Sequence, residues 1–486
     1  MRTSLEKFVP AAYMPGFHVA PLSDLFIDSR AVTEGSGFVA LRGLASDGRQ
    51  YIQSAFERGA TVAFADTEGF DVPYQWRDKI VHIPNLEARI ATMAADFYGH
   101  PSASIVTVAV TGTNGKTSVC RFVADALNAL HGPCGYIGTL GWGVDGYQAV
   151  INTTPDVVSM HRMLASLKSE GARAVSLEAS SIGIHQGRLD DVVIDVAVFT
   201  NLSRDHLDYH GDFAAYADVK RQLFLRPGLQ AAVMNLDDEI GAGWIEAIHS
   251  DCRVLTYSTQ RQADVRLTAV DYRLNGTSLR IATPYGDIAV DVPVVGAYNA
   301  ANLLAACAVL CHYSENAQQV QKALSRVRGV PGRMELVGSG QPAVLVDYAH
   351  TPDGLDNALR ALRPHCQGRL IVVFGCGGDR DVGKRPLMAK VAEDLSDVVI
   401  ITSDNPRSED PQTIVNDVLA GLVQPANAIV ELDRKAAITH AIGMAQSSDC
   451  VLIAGKGHED YQIIGNQVLP FDDRLVAAQC LSGGMA

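Results

Sequence analysis

No run of apolar residues in this 486-residue chain is long enough to span a bilayer, so membrane insertion is not expected. The first twenty residues carry Glu6, Pro10 and Pro15 where a secretory signal needs an unbroken apolar core, which makes the cytoplasm the expected location. Positive charge is also short. Forty Lys and Arg face 54 Asp and Glu for a net charge of -14, which argues against a nucleic-acid partner, because duplex binding relies on cations neutralising phosphates. The nine cysteines are odd in number and form no repeated CxxC pair, so neither a disulfide framework nor a zinc knuckle is expected, and reduced, mostly buried thiols are. Solenoid repeats and low-complexity segments are missing too.

What is there is globular: 47% hydrophobic and 19% charged residues, in a chain long enough for two to four domains. The most informative stretch is Val106-Thr-Val-Ala-Val-Thr-Gly-Thr-Asn-Gly-Lys-Thr-Ser118. It reads as a buried strand, a phosphate loop and the start of a helix over Lys116 to Leu130. Gly112 and Gly115 let the backbone approach a polyphosphate, and the amides opening the helix turn their partial positive charge toward it. Lys116 would neutralise the β- and γ-phosphates, and the Thr117 hydroxyl would ligate magnesium. Two residues separate Gly112 from the Gly-Lys pair where the common loop has four; a chance glycine turn is the plainer alternative.

The fold class expected is α/β in three domains. A central parallel-sheet, ATPase-like domain (102–330) carries the phosphate loop; a small N-terminal α/β domain (1–101) and a C-terminal Rossmann-like domain (331–486) flank it. The first boundary is the Gly-His-Pro stop at Tyr98 to Pro101, the second Val330-Pro-Gly-Arg333. In the central domain, strand ends carry Thr111 to Ser118, Asn152 to Pro155, Glu178 to Ser181 and Asn201 to His206, and a parallel sheet gathers such ends on one edge. Alternating stretches between 262 and 295 read as antiparallel hairpins. Four C-terminal apolar runs, Val344 to Asp347, Leu370 to Phe374, Val398 to Thr402 and Val451 to Ala454, each feed a polar or glycine-rich loop.

Several residues carry chemistry, each with a plainer alternative. Glu178, a carboxylate ending an apolar strand, is costly unless paired or bound to a cation; with His206 and Thr117 it would complete a magnesium site, though His206 could be a structural histidine. Lys220, on a helix expected over Phe213 to Leu225, is either a solvated surface lysine or a desolvated amine able to react with carbon dioxide. Arg333 would meet a γ-phosphate or form an interdomain salt bridge. Asn405 and Arg407 suit a carboxylate, although Asp-Asn-Pro is also a good turn. Glu459 would accept an ammonium or stand as an exposed loop acid, and Ser29 would bind a ligand or cap a turn. Cys376 invites a nucleophile hypothesis, but no His or Asn partner pattern accompanies it.

With these segments assembled, the chain resembles the Mur ligase family over almost its whole length, from Asp28-Ser-Arg30 to Gly455-Lys-Gly-His-Glu-Asp-Tyr-Gln462. The resemblance implies an ATP site at Gly112, Thr113, Asn114, Gly115, Lys116, Thr117 and Ser118, joined by Asn299, Asn302, Arg333 and Asp347. It implies Mg2+, two ions, at Thr117, Glu178, His206 and a carbamylated Lys220, with Lys116, His206, Lys220 and Arg333 in catalysis. It puts a UDP-N-acetylmuramoyl-L-alanyl-D-glutamate site at Ile27, Ser29, Leu44, Ala45, Ser46, Asn152, Thr153, Thr154, Ser180, Gln186 and Arg188. Asp404-Asn-Pro-Arg407 is similar to the motif of members that add meso-diaminopimelate, implying a site at Asp404, Asn405, Pro406, Arg407, Gly455, Glu459 and Arg380, with Arg385 a second arginine close by. One departure is Ser180-Ser-Ile-Gly183 where the family often has Ser-Ser-His-Gly; His185 follows three residues later.

The implied reaction is ADP-forming amide synthesis through an acyl phosphate, in peptidoglycan precursor synthesis and hence wall biogenesis, cell shape and division, by a monomer whose domains close before chemistry. Two rivals are a folylpolyglutamate synthetase, opposed by Thr153-Thr-Pro155 and Asp404 to Arg407, and a nucleotide-operated switch lacking an amino-acid pocket.

Overall fold

The computed structural model describes residues 2–14, 19–43, 46–273, 275–338 and 342–483. They gather into two compact units, one of Met1–Lys116, His131–Val233 and Gly243–Val254, the other of Thr117–Leu130, Met234–Ala242 and Leu255–Ala486.

The first unit opens on a parallel sheet, β1 (Leu25–Phe26), β2 (Gly37–Ala40), β3 (Val62–Ala65) and β4 (Ile80–His82), in that order. Strand residues alternate between two cores: Val39, Phe64 and Val81 pack with the helix Ile90–Tyr98, and Phe38, Ala40 and Ala63 with Ile52–Glu57. Gly99 in the left-handed conformation (φ 72°) ends the first of these helices, just ahead of Pro101.

Beyond it lie β5 (Val106–Thr111), β6 (Cys134–Gly138), β7 (Gly141–Gly143), β8 (Ala174–Glu178), β9 (Val196–Phe199) and β10 (Ala231–Asn235), ordered β10-β9-β5-β8-β6-β7. β5 is central and parallel to both neighbours, pairing Val110 with Glu178 and Thr111 with Phe199, so the expected gathering of strand ends holds for three of the four segments. The fourth, Asn152 to Pro155, follows no strand and leads instead into the helix Val157–Ser169, yet it still joins the others, because Thr154 Oγ1 donates to Glu178 O.

In the second unit β11 (Arg253–Ser258) runs parallel to β12 (Val265–Arg273), and β13 (Gly276–Ala282) and β14 (Ile288–Val292) continue antiparallel, as the alternation between 262 and 295 predicts. The remaining sheet holds β15 (Glu335–Val337), β16 (Ala343–Asp347), β17 (Leu370–Phe374), β18 (Val398–Ile401), β19 (Ile429–Val430) and β20 (Cys450–Ala454), ordered β15-β16-β20-β17-β18-β19 with β15 antiparallel. Successive residues serve opposite faces: Leu345, Val372 and Leu452 belong to one core, Val344, Val346, Ile371 and Ile453 to the other. The hairpin β21 (Tyr461–Ile464) and β22 (Gln467–Pro470) completes the set. Among the described residues no helix is long and apolar enough to cross a membrane.

Candidate functional site

The phosphate loop leaves β5 through Gly112, whose φ of 145° and approach to Thr200 leave no room for a side chain: a Cβ there would lie 1.9 Å from Thr200 Oγ1. The loop is pinned to the segment after β9, since Thr113 N donates to Asn201 O (2.8 Å), Asn114 N to Asn201 Oδ1 (3.0 Å), and Thr113 Oγ1 to Ser203 O (3.1 Å). Lys116 folds back, donating to Gly112 O (3.0 Å) and Thr113 O (2.8 Å), so its ammonium lies over the loop. Thr117 and Ser118 are buried in the first turn of the helix Lys116–His131, whose Val119, Phe122, Val123, Ala126 and Leu127 bury one stripe.

Lys220 is no surface lysine. It is 1% exposed on the helix Phe213–Arg221, and its Nζ donates to Gly112 O at 2.8 Å and sits 4.7 Å from the Tyr216 ring centroid. Burial first, then repulsion from Lys116, holds its ammonium well below the ordinary lysine range, which favours the neutral amine. Glu178 is 1% exposed; Oε1 accepts Tyr136 OH (2.5 Å) and Thr139 N (2.9 Å), and Oε2 accepts Thr139 Oγ1 (3.2 Å). His206, in the left-handed conformation (φ 51°), is half-exposed with Nε2 3.6 Å from Asp205.

A second cluster hangs from Glu178's own backbone. Thr154 Oγ1 donates to Glu178 O (2.8 Å) and meets Ser180 Oγ (2.9 Å), which in turn accepts Gly183 N and caps Ser181–His185. Thr153 Oγ1 lies 3.1 Å from Thr139 Oγ1, and Asn152 is exposed. Arg188 donates to Thr154 O (2.7 Å) and to Gln186 Oε1 (2.6 Å), and Gln186 Nε2 donates to Tyr209 OH (3.1 Å). His185 Nδ1 also reaches Tyr209 OH, at 3.0 Å, so the displaced histidine is held here by a tyrosine that sequence reasoning missed. Of the N-terminal candidates, Ile27 is half-buried, and Ser29 is buried in a short turn capped by Asp28 rather than capping one itself. Ser46 is exposed and accepts Gly43 N, while Leu44 and Ala45 lie outside the described residues.

In the second unit Asn302 Nδ2 donates to Asn299 Oδ1 (2.8 Å), and Asn299 Nδ2 to Val295 O (2.7 Å). Asp347, at the end of β16, accepts Met334 N (2.7 Å) and Ala349 N (2.9 Å); burial pushes its carboxyl up, opposed by the Arg333 charge. Arg333 stacks 4.8 Å from the Tyr348 ring centroid.

Register places Asp347 beside Ala454, Val373 beside Ile453, and Phe374 beside Ile401, so the four loops of this sheet leave one edge. There Asn405 Oδ1 accepts Lys456 Nζ (3.1 Å) and Ile463 N (2.9 Å), and Asn405 Nδ2 donates to Glu459 Oε2 (3.3 Å). Glu459 is therefore an engaged, largely buried acid and not an exposed loop residue. Arg407, at φ 52°, donates from Nη1 to Gly378 O (2.7 Å), and its backbone pairs with Ile463 and Gly465. The two arginines left open by sequence separate: Arg385 is 1% exposed and committed to Glu409 (2.9 Å) and Asp417 (2.8 Å), whereas Arg380 is exposed with only Asp379 O as acceptor among the described residues. Cys376 is buried with its thiol pushed up to about 12, which excludes a resting thiolate nucleophile. All nine cysteines are free thiols, eight of them buried.

Sequence reasoning also missed Lys456 and the buried Arg434, which pairs with Asp473 (2.7 Å) and donates to Ala454 O and Ser403 O beneath the loops. A lysine between two glycines at a strand end was the available signal for the first; nothing local marks the second.

Three family descriptions match the chain consecutively: Mur ligase family, catalytic domain over 22–98; Mur ligase middle domain over 110–310; and Mur ligase, glutamate ligase domain over 332–457. The chain is 45% identical to the UDP-N-acetylmuramoyl-L-alanyl-D-glutamate--2,6-diaminopimelate ligase of Coxiella burnetii, covering 92% of this chain and 93% of that one. It is 44% identical to the protein of the same name from Ectopseudomonas mendocina, covering 99% of each. A solved structure of a ligase of that name superposes with a TM-score of 0.72 at 35% identity, covering 99% of both chains.

Proposed function

Since this chain belongs to the Mur ligase family, we propose that it joins meso-diaminopimelate to the D-glutamate of UDP-N-acetylmuramoyl-L-alanyl-D-glutamate at the expense of ATP, a step of peptidoglycan precursor synthesis. The observation that carries the choice of amino acid is the cluster of Asn405, Arg407, Glu459 and Lys456 at one sheet edge, with the exposed Arg380 on the loop after β17. A guanidinium fork and an amide suit the extra carboxylate of diaminopimelate, and Glu459 suits an ammonium. Lysine offers no such carboxylate.

A carboxylate is a poor acyl donor, so the D-glutamate γ-carboxylate first attacks the γ-phosphorus of ATP. A carbon-bound oxygen gains the phosphoryl group, the bond to the β-phosphate oxygen breaks, and ADP leaves. The neutral amine of diaminopimelate then attacks the acyl carbon, loses a proton, and expels inorganic phosphate. Lys116, lying over the loop carbonyls, would turn to the β- and γ-phosphates, and the amides opening the helix Lys116–His131 would direct their partial positive charge at them. Thr153, Thr154, Ser180, Gln186 and Arg188 would hold the nucleotide dipeptide and orient its carboxylate. Asn299, Asn302, Arg333 and Asp347 are the further residues that the family resemblance assigns to the nucleotide.

Magnesium suits the residues at the strand ends: Glu178 is a buried carboxylate in register with Val110, two residues before the loop glycine. Thr117, Glu178, His206 and Lys220 would hold it, and when bound it would neutralise charge on the transferring phosphoryl group. Lys220 is suited to carbamate formation because its burial favours the neutral amine, the form that adds carbon dioxide. A carbamate carbon resonance after exposure to 13C-bicarbonate, missing in Lys220→Ala, tests that assignment.

We propose a monomer working in the cytoplasm, a location that nucleotide substrates and nine free thiols support. ADP release measured against diaminopimelate, lysine and ornithine tests the whole. Turnover is expected only with nucleotide dipeptide and diaminopimelate together, and equal rates with lysine would overturn the assignment of the amino acid.

A further inference from the structure

Lys456 is fully buried at 0% exposure, yet it belongs to no helix and pairs with no single acid. It stands at the end of β20 between Gly455 (φ 122°) and Gly457 (φ 54°), and a Cβ on Gly455 would already lie 3.1 Å from Asp404 Oδ2. The ammonium faces Asn405 Oδ1 at 3.1 Å, Asp404 Oδ1 at 3.5 Å and Glu459 Oε2 at 3.5 Å, with the Tyr461 ring centroid 5.5 Å away. Burying an ammonium is costly unless its three donors are met, and three oxygens from two different loops meet these.

We propose that Lys456 is the positioning residue of the amino-acid receptor, setting which face of the Asn405 amide and how much negative charge the ligand encounters. The inference rests on the placement of the amino acid at this edge. With Lys456 Nζ and Ile463 N both donating to Asn405 Oδ1, the oxygen is fully used, and the amide must turn its NH2 toward Glu459 and the ligand. An NH2 attracts a carboxylate, and a flipped amide would present oxygen and repel it. The same ammonium offsets one of two neighbouring carboxylates, Asp404 and Glu459, leaving about one net negative charge for one ligand ammonium. Gln462, donating to Asp404 O at 2.7 Å, holds the backbone of the same loop; the charge balance is left to Lys456, which shares the amide orientation with Ile463 N.

Steady-state kinetics of Lys456→Met test this. The KM for diaminopimelate should rise about tenfold or more, those for ATP and the nucleotide dipeptide should stay within about twofold, and the preference for diaminopimelate over lysine should fall. A purely structural lysine would instead lower the folded fraction and leave all three KM values unchanged. In a double-mutant cycle with Asn405→Ala, the pair should be no worse than about threefold beyond either single change, because both remove one interaction. Multiplying effects, or an unmoved KM for diaminopimelate, would overturn the proposal. If K456M does not fold, K456M/D404N measured against D404N alone replaces it with the same expectations. Arg407→Ala separates the two levels: if R407A raises that KM and the Lys456 variants do not, only this inference fails, and if R407A does not raise it, the placement of the amino acid fails.

Discussion

Lys220 is a buried amine whose desolvation works against the fold, and the proposed carbamate would give it a use in the reaction. Its folded-state ammonium is held well below the ordinary range by burial and by Lys116. The unfolded chain therefore takes up a proton on this lysine below about pH 10.5, while the folded chain remains neutral until much lower pH. The folded state is penalised throughout that window, and the penalty vanishes above it. Lys220→Met is accordingly expected to stabilise the ligand-free protein by on the order of 1 kcal/mol at pH 7.5 while abolishing ligation, with the gain shrinking to nothing near pH 10.5. Denaturant midpoints at the two pH values in carbon-dioxide-free buffer check it, and a variant less stable at both would contradict the assignment. The paired arginines give a second contrast at this scale. Arg385→Met breaks a buried ion network and should cost about 3 kcal/mol or more of stability, whereas Arg380→Ala should leave stability intact and raise the KM for diaminopimelate. Chemical denaturation and substrate titration of the same two variants decide between the roles.

At the scale of strands and loops, what could be read in advance was whatever burial imposes on sequence. β5, β8, β9, β16, β17, β18 and β20 are covered on both faces, so each is a largely apolar run that feeds a polar or glycine-rich loop. Asn152 to Pro155 was misplaced because its position comes from side-chain hydrogen bonds to the strand end, Thr154 to Glu178 O above all, which leave no periodic trace. Arg385 was left open and Lys456 was missed for a similar reason: a buried cation looks like a surface one until its partners, Asp417 in one case and Asn405 in the other, are brought across the sheet edge. The loop after β17 is legible only as glycine-rich, yet its glycines are there to let it lie against the loop after β18. A Cβ on Gly378 would stand 1.9 Å from Pro406 O. Gly378→Ala should push Asp404 to Arg407 out of position and raise the KM for diaminopimelate about tenfold, with the KM for ATP unaffected. If both KM values moved together, the displaced loop would be serving the fold as a whole and not the amino acid.

Across the whole molecule, a net charge of -14 surrounds sites that must attract a triphosphate and two carboxylates, so attraction has to be local. The phosphate loop and the nucleotide-dipeptide cluster lie in one compact unit, and Asn405, Arg407 and Glu459 in the other. Ligand binding to the native state raises its stability by an amount set by concentration over Kd, about 2.7 kcal/mol at a hundredfold excess. Each ligand's stabilisation should therefore be removable on its own. With nucleotide dipeptide present throughout, Lys116→Ala should erase the thermal shift given by a non-hydrolysable ATP analogue and keep that given by diaminopimelate. Arg407→Ala should do the reverse. A nucleotide-operated switch predicts no diaminopimelate shift in any variant, and a folate-using relative predicts a shift with folate instead. If Arg407→Ala abolished both shifts, the arginine would be holding the unit together and not reading a carboxylate, and the recognition of the third amino acid would have to be sought at Arg380 and the loop after β17.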